Sequence, residues 1–161
     1  MSVQKVRDYL TPFGMAERVL EFDVSSATVE LAAQALGCEP GRIAKTMSFR
    51  IGERVALIVA AGDERVDNHK FKECFHTKAK MLARDEVGVL TGNEAGGVCP
   101  FAVPAEVDIY LDVSLRRFDP VYPAAGSANS AVRLSPEELA AVCPGAEWVD
   151  VCRLPEATAD A

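Results

Sequence analysis

Residues 41–61 read GRIAKTMSFRIGERVALIVAA, and this stretch decides the fold. Apolar and β-branched residues dominate 43–51 and 54–61, and only Gly52 and Glu53 separate the two runs. Two such runs around a short turn that contains glycine are typical of a β-hairpin. The second run is almost entirely apolar, which indicates a central strand that is covered on both faces.

The segments on either side of this hairpin predict further helices and strands. Apolar residues recur at helical spacing from Thr28 to Leu36, and Gly37 follows as a helix stop. The other predicted elements are helices over 2–13, 67–75, 84–90 and from Ser135 onward, and strands over 17–23, 79–82, 107–112, 121–125, 130–134 and 147–152.

Strands outnumber helices in this prediction, and the strands 121–125 and 130–134 form a second hairpin. We therefore predict an α+β (mixed α/β) fold, in which a mixed, largely antiparallel sheet curls into a barrel-like shape with helices around it. Residues 1–154 are expected to form one domain. Residues 155–161 lack apolar periodicity and are expected to be a frayed tail.

The composition excludes several classes of protein. The 161 residues are 49% apolar and 25% charged, and no apolar run approaches the roughly 18 residues of a membrane span. The amphipathic N-terminus lacks the apolar segment of a signal peptide, so we expect a cytoplasmic protein without a membrane partner. A net charge of −7 argues against tight general binding of nucleic acid, and no DNA partner is expected. Five scattered cysteines without a C-x-x-C pair argue against a disulfide framework and a zinc site.

The common catalytic motifs are absent, including the phosphate loop, G-x-S-x-G and H-E-x-x-H. The two histidines, His69 and His76, lie in a polar run rich in lysine and are predicted to be surface residues. Residues 69–72, together with Lys78 and Lys80, form either a patch that docks an RNA end or a solvated face. The solvated face is the favoured interpretation.

Lys45 is the anomaly of the hairpin. Alternate residues of a strand share a face, so Lys45 lies among four apolar side chains. These are Ile43, Met47, Phe49 and Ile51. A lone ammonium on an apolar face is costly. Three explanations stay open, namely an extended stem that reaches solvent, a buried carboxylate partner, and a pocket in which the cation meets a substrate.

Two further segments contain small residues that leave room for a ligand. Residues 96–100 read GGVCP, in which paired glycines permit unusual backbone angles and proline fixes the exit. Cys99 has apolar neighbours and no evident histidine partner, so we expect a packing thiol rather than a nucleophile. Residues 124–130 read AAGSANS, whose serine and asparagine side chains are also common in turns for local reasons.

Taken together and in order, three segments resemble the YbaK/prolyl-tRNA-synthetase-associated domain family of trans-editing aminoacyl-tRNA deacylases. They are GRIAKTMSF (41–49), TGNEAGGVCPFAVP (91–104) and the region 108–139, which includes DIYLD and RRFDPVYPAAGSANSAVRLSPEEL. The resemblance covers nearly the whole chain, and its most specific part is the motif lysine followed later by G-x-x-x-P. It implies a mostly antiparallel sheet, curled into a barrel-like shape, with helices around it.

The resemblance also implies an activity and a site. Members hydrolyse the ester between a wrong amino acid and the 3′ end of tRNA, and no metal or organic cofactor is expected. The motif lysine maps to Lys45, which we expect to be a positioning cation, although a role as base stays open. The motif glycine maps to Gly96, whose backbone is expected to place substrate and water. The implied substrate-binding residues are Phe22, Thr28, Thr46, Gly97, Pro100, Gly126, Ser127 and Asn129.

The substrate itself is less well defined by the resemblance. Phe22 stands where the cysteinyl-tRNA branch has tyrosine, and Ala124 and Ala131 stand where it has serine and aspartate. We expect a small amino acid such as alanine, cysteine or one of similar size on tRNA(Pro), with prolyl-tRNA synthetase as a further candidate partner. Two other classes stay open: a non-catalytic module on the same fold that binds tRNA or a synthetase, and a hydrolase of small esters or amides.

Overall fold

Two long neighbouring strands form the centre of the sheet in the computed structural model, which describes residues 3–91 and 98–155. These strands are β2 (Ile43–Ile51) and β3 (Arg54–Ala61), and they pair antiparallel along their length. Every residue of β3 after Arg54 is buried. The structure thus confirms both the hairpin and the covered central strand.

The remaining elements surround this hairpin. The helices are α1 (Val3–Leu10), α2 (Val29–Leu36), α3 (Asn68–Phe75), α4 (Arg84–Thr91) and α5 (Pro136–Ala141). The other strands are β1 (Val19–Glu21), β4 (Arg65–Val66), β5 (Val107–Asp112), β6 (Tyr122–Pro123), β7 (Ser130–Val132), β8 (Glu147–Val149) and β9 (Cys152–Arg153). Short 3-10 helices cover Thr11–Phe13, Ala16–Arg18, Pro40–Arg42 and Val113–Arg117.

The main sheet has five strands in the order β6-β2-β3-β5-β8. The long β2–β3 ladder is antiparallel, whereas the shorter ladders β2–β6, β3–β5 and β5–β8 are parallel. Two small antiparallel sheets, β1–β7 and β4–β9, accompany it. The result is the predicted mixed α/β fold, a curled half-barrel of five strands with helices around it.

Both faces of the sheet are packed. Val59 of β3 belongs to a core that includes Leu10 of α1 and Leu139 of α5. Its neighbour Ile58 points to the other face and packs with Phe71 of α3. None of the helices within 3–91 and 98–155 has the length and apolarity needed to span a membrane.

Several predicted elements are shorter than expected, for local reasons. The α-helical part of 2–13 ends at Leu10, and the chain continues as a 3-10 helix because Pro12 has no N–H to donate. The predicted strand 79–82 is reduced to one bridge between Met81 and Phe49. The predicted tail 155–161 lies, except for Pro155, outside the described residues.

Two other predicted strands pair differently from the expectation. The hairpin 121–125/130–134 is reduced to isolated bridges, because β6 joins β2 and β7 joins β1 instead. The strand 147–152 divides into β8 and β9 because the N–H of Val151 donates to the Asp112 carboxylate at 2.9 Å rather than to a ladder.

Candidate functional site

A cavity of about 180 Å³ opens between α2, the first half of β2 and the segment that joins β6 to β7. Its walls are formed mainly by small or apolar residues and a few hydroxyl groups, with one lysine. The lining residues are Ser26, Ala27, Thr28, Val29, Ala32, Ile43, Ala44, Lys45, Thr46, Val98, Tyr122, Ala124, Ser130 and Ala131.

Lys45 supplies the positive charge of this wall. It is half-buried on β2, opposite Ala60, and its Nζ donates a hydrogen bond to the backbone carbonyl of Glu64. Burial lowers the pKa of Lys45 below its ordinary value, while the nearby Cys152, Asp63, Glu30 and Glu64 act in the opposite direction. The ammonium is thus paired with a carbonyl oxygen and borders a cavity.

The first turn of α2 forms the facing wall. Thr28 caps the helix, since its side chain accepts the N–H of Leu31 at 3.1 Å. Gly37 ends the helix with φ at 70°, a left-handed angle that glycine adopts readily. Between them, Ala32 packs with Ile43 of β2, and this short side chain brings α2 close to the strand.

Two hydroxyl groups at the cavity have no hydrogen-bond partner in the part of the chain that the structure describes. Among the described residues, Ser26 Oγ and Thr46 Oγ1 are the buried side-chain polar atoms without a hydrogen bond. Both residues line the cavity. Because buried polar atoms are nearly always paired in folded proteins, these two indicate that a ligand or water completes the wall.

The rim of the cavity is made by two chain segments that are bonded to each other. The N–H of Phe22 donates to Asn129 O at 2.8 Å, and Asn129 Nδ2 donates to Phe22 O at 3.1 Å. The N–H of Ser26 donates to Ala128 O at 2.6 Å. These bonds fix the chain after β1 against the turn before β7, and with it the position of Ser26.

Within that turn, most polar side chains bond to each other. Ser127 Oγ donates to Asn129 Oδ1 at 2.8 Å and lies 2.7 Å from Ser130 Oγ. Gly126 has φ at 91°, which lets the chain reverse there. Ser130 is the serine of the turn that lines the cavity.

The structure brings together part of the set of residues named from the sequence. Lys45, Thr28 and Thr46 line the cavity. Phe22, Gly126, Ser127 and Asn129 lie in the rim segments rather than in the wall. Pro100 lines a different cavity, beside Cys143. Gly96 and Gly97 lie outside the described residues, although Val98 of the same segment lines the cavity.

The sequence did not single out several wall residues. Ser26 lies in the polar run 25–30, of which only Thr28 was named as a site residue. Tyr122 lies in a predicted hairpin, and Ser130 beside a turn that explained it locally. Ala124 and Ala131 had been noted only as departures from a related pattern, and they form a bridge to each other in the wall. These residues meet on one wall because strands that are distant in the sequence pair with each other, and no local sequence pattern indicates that pairing.

Other chemically reactive side chains lie away from this wall. His69 and His76 are exposed, as the sequence predicted. Burial raises the pKa of Cys99 to about 12, so its thiol is neutral near pH 7, consistent with a packing role. Within 3–91 and 98–155, no cluster of three or more histidine, cysteine or acidic residues has a geometry able to hold a metal ion.

Comparisons with known proteins identify a family whose matching region includes this cavity. The model of the aminoacyl-tRNA editing domain family matches residues 23–142, a range that contains the lining of the cavity. The uncharacterized protein YwhH of Bacillus subtilis is 49% identical over 154 residues, which are 95% of this chain and 98% of that protein.

Two more distant relatives have assigned activities. The provisionally assigned Cys-tRNA(Pro)/Cys-tRNA(Cys) deacylase EbsC of Enterococcus faecalis is 26% identical, with 89% of this chain and 88% of that protein covered. A solved structure, provisionally assigned as a trans-editing enzyme for prolyl-tRNA synthetase, is 30% identical. It superposes with a TM-score of 0.85 over 95% of this chain and 99% of that one.

Proposed function

The chain belongs to the aminoacyl-tRNA editing domain family, and from that premise we propose that it hydrolyses the ester of mischarged tRNA in trans. The amino acid removed is small, such as alanine, cysteine or one of similar size, and the first tRNA to test is tRNA(Pro). The tRNA 3′ end is the partner at the site, and prolyl-tRNA synthetase is a further candidate partner. The proposed compartment is the cytoplasm.

One observation supports this proposal above the others: a half-buried cation borders a small, mostly apolar cavity. The volume of about 180 Å³ lies below the roughly 300–1,000 Å³ typical of pockets for drug-sized ligands. Such a space is large enough for the side chain of a small amino acid. Lys45 then lies at the polar end, where the carbonyl and the terminal nucleotide would lie.

The wall residues support a small substrate side chain. Ala124 and Ala131 each end at a methyl group, which leaves space, and Ser26 and Thr46 offer hydroxyls that lack a partner among the described residues. In a pocket of this kind, one methylene changes the binding free energy by about 1–3 kcal/mol. We therefore expect overlapping activity on neighbouring small amino acids rather than a single substrate.

The proposed chemistry is the addition of water to an activated ester. The water oxygen bonds to the carbonyl carbon, and negative charge develops on the carbonyl oxygen. The bond from that carbon to the ribose 3′ oxygen then breaks, and this oxygen takes up a proton. The products are a free amino acid and a tRNA with an intact 3′-hydroxyl.

In this reaction Lys45 stabilises negative charge on the substrate and helps to position it. A desolvated ammonium stabilises a developing oxyanion or a phosphate more strongly than one in water. Since an aminoacyl ester is already reactive, positioning of water and substrate supplies much of the acceleration. The backbone at Gly96 is proposed to contribute to that placement, and the ribose 2′-hydroxyl is proposed to assist proton transfer in place of a histidine.

The test is a panel of mischarged tRNAs, beginning with Ala-tRNA(Pro) and Cys-tRNA(Pro), in which loss of the ester is followed over time. We expect hydrolysis by the wild-type protein and a large loss in Lys45→Ala. Absence of hydrolysis across the panel, with binding retained, would identify a non-catalytic binding module. Equal turnover of free aminoacyl esters would identify a small-ester hydrolase instead.

A further inference from the structure

The carbonyl that holds Lys45 belongs to a turn, not to the sheet. Residues 62–64 connect the end of β3 to β4, and Lys45 Nζ donates to the carbonyl of Glu64. A turn has fewer neighbours to fix its backbone than a paired strand has. The position of the ammonium at the cavity wall therefore depends on what holds this turn in place.

Arg117 binds both acidic side chains of the turn. Its Nη1 donates to Asp63 Oδ2 at 3.2 Å and its Nη2 to Asp63 Oδ1 at 2.5 Å, which makes a bidentate pair. The same Nη2 lies 3.3 Å from Glu64 Oε2. One guanidinium thus holds two consecutive residues, and the second of them supplies the carbonyl for Lys45.

Arg117 is itself fixed from behind. Its Nε donates to Ser114 O at 3.2 Å, and its guanidinium carbon lies 4.7 Å from the centre of the Phe118 ring. Ser114 in turn accepts the N–H of Ala61 at its hydroxyl, at 3.1 Å. The 3-10 helix Val113–Arg117 is therefore bonded to the end of β3 at two points, through Ala61 and through the turn.

Close packing fixes the start of the turn at Gly62, whereas the Asp63 and Glu64 side chains are held by Arg117. A Cβ atom on Gly62 would lie 2.4 Å from Pro40 O and 2.7 Å from Val29 Cγ1, so only glycine allows this approach. A Cβ atom on Gly41 would lie 2.5 Å from the Phe118 ring. The turn is thus enclosed by α2, the 3-10 helix Pro40–Arg42 and Phe118, with Arg117 as its charged anchor.

We propose that Arg117 is a positioning residue for Lys45, because it fixes the Asp63–Glu64 turn whose carbonyl holds the ammonium at the cavity wall. This inference rests on the proposed function only in assigning a reaction to Lys45. The placement of the ammonium can be measured without any substrate. A misplacement of about 1 Å at a reacting centre is enough to cost on the order of 10²-fold in rate.

The experiment measures the titration midpoint of Lys45 together with deacylation. Lysine side chains are labelled with ¹⁵N, and the Lys45 signal is assigned by its absence in Lys45→Arg. Arg117→Gln removes the anchor, whereas Arg117→Lys keeps the charge without the bidentate geometry. Arg54→Gln is the matched control, since Arg54 makes a similar bidentate pair with Asp108, at 2.7 and 2.9 Å, and does not line the cavity.

Asp63→Asn separates positioning from a simple effect of charge. Burial is the main cause of the low pKa of Lys45, so we expect water admitted by a loosened turn to raise the midpoint by more than loss of the Glu64 carbonyl bond lowers it. Loss of the Asp63 carboxylate alone has the opposite effect, because removal of an anion lowers the pKa of a neighbouring lysine. A rise in Asp63→Asn is therefore specific to displacement of the turn.

We expect the Lys45 midpoint to rise in both Arg117→Gln and Asp63→Asn and to stay constant in Arg54→Gln. We expect kcat to fall on the order of 10²-fold in Arg117→Gln with a smaller change in KM, and to recover partly in Arg117→Lys. An unchanged Lys45 midpoint with full activity in Arg117→Gln, or full activity in Asp63→Asn, overturns the inference. If Arg117→Gln does not fold, Asp63→Asn decides.

The outcomes also distinguish this inference from the proposed function. A raised Lys45 midpoint in the variants, together with no hydrolysis by the wild-type protein, supports the positioning role and rejects the enzymatic one. Hydrolysis by the wild-type protein that is unchanged in Arg117→Gln and Asp63→Asn retains the enzyme and rejects the positioning role.

Discussion

Replacement of Lys45 with methionine tests whether the half-buried ammonium serves the reaction or the fold. Methionine keeps an unbranched side chain and removes the charge and the hydrogen-bond donor. In the wild-type protein, burial lowers the pKa of Lys45, so folding moves the charged form into a poorer environment than water. The bond to Glu64 O offsets part of that cost.

The sign of the stability effect follows from the direction of this pKa shift. The unfolded chain, with an ordinary lysine pKa near 10.5, retains the proton more strongly than the folded protein. The cost of burying the charged ammonium is therefore fully present below the pKa of Lys45 in the folded protein. It disappears as the pH rises from that pKa past the pKa of lysine in the unfolded chain. Lys45→Met should remove this rise in stability with pH.

The magnitudes for Lys45→Met nearly cancel at pH 7. Single stabilising substitutions commonly contribute about 0.5–2 kcal/mol, and we place removal of the half-buried ammonium in that range. Loss of a hydrogen bond from a charged donor costs about 1.5–3 kcal/mol. We expect a net decrease of about 1 kcal/mol in the free energy of unfolding, which corresponds to a fall of roughly 2–4 °C in Tm for a chain of this length.

Catalysis should respond much more strongly than stability. Removal of one group that stabilises an oxyanion typically costs about 10²–10³ in kcat, or about 2.7–4 kcal/mol of barrier. Single-turnover deacylation and thermal unfolding are measured on Lys45→Met and on Lys5→Met, an exposed site on α1 with the same change in net charge. Hydrolysis at the wild-type rate, or a loss of stability as large as the loss in barrier, would refute the assignment of Lys45.

Three other predictions concern the pocket, acid stability and salt. Ala131→Val narrows the cavity wall, so kcat/KM for the larger of two accepted amino acids should fall relative to the smaller by about 10–200-fold, and an unchanged ratio would place the side-chain pocket elsewhere. Arg18 and the Ser135 backbone lower the pKa of Glu138 to about 2, so about 1 kcal/mol of stability, present above the ordinary pKa, should disappear as the pH falls toward 2. Urea unfolding of Glu138→Gln should lack that pH dependence. If residues 69–80 contact RNA, substrate binding should weaken as ionic strength rises, and a flat response would indicate a solvated face.

The parts of the fold that local chemistry determines were predictable from the sequence. The β2–β3 hairpin needs only two apolar runs and a short turn, and α2 needs only its cap at Thr28 and its stop at Gly37. Each signal lies within a few residues of the element that it defines. Element type could therefore be predicted without knowledge of the tertiary structure.

The pairing of short strands could not be predicted in this way. The segments 121–125 and 130–134 have a turn between them, yet their longer ladders form with β2 and β1. The choice among several partners of similar local propensity depends on the packing of the whole sheet. The same limit applies to the site, because Ser26, Tyr122 and Ala131 meet only once β1, β6 and β7 have found those partners.

Lys45 was identifiable before its neighbours because its position conflicts with its surroundings. A lysine among apolar strand residues is expected to destabilise the fold, and a function of its charge would explain why it is tolerated there. The structure narrows this choice, since the ammonium borders a cavity and, among residues 3–91 and 98–155, bonds to a backbone carbonyl and forms no ion pair with a carboxylate. An anionic partner would neutralise the charge and weaken its effect on a substrate, whereas a carbonyl orients the ammonium and leaves its charge intact. Arg117 fixes that carbonyl indirectly, because it binds the carboxylates of Asp63 and Glu64. This arrangement is consistent with an ammonium whose charge acts on a ligand.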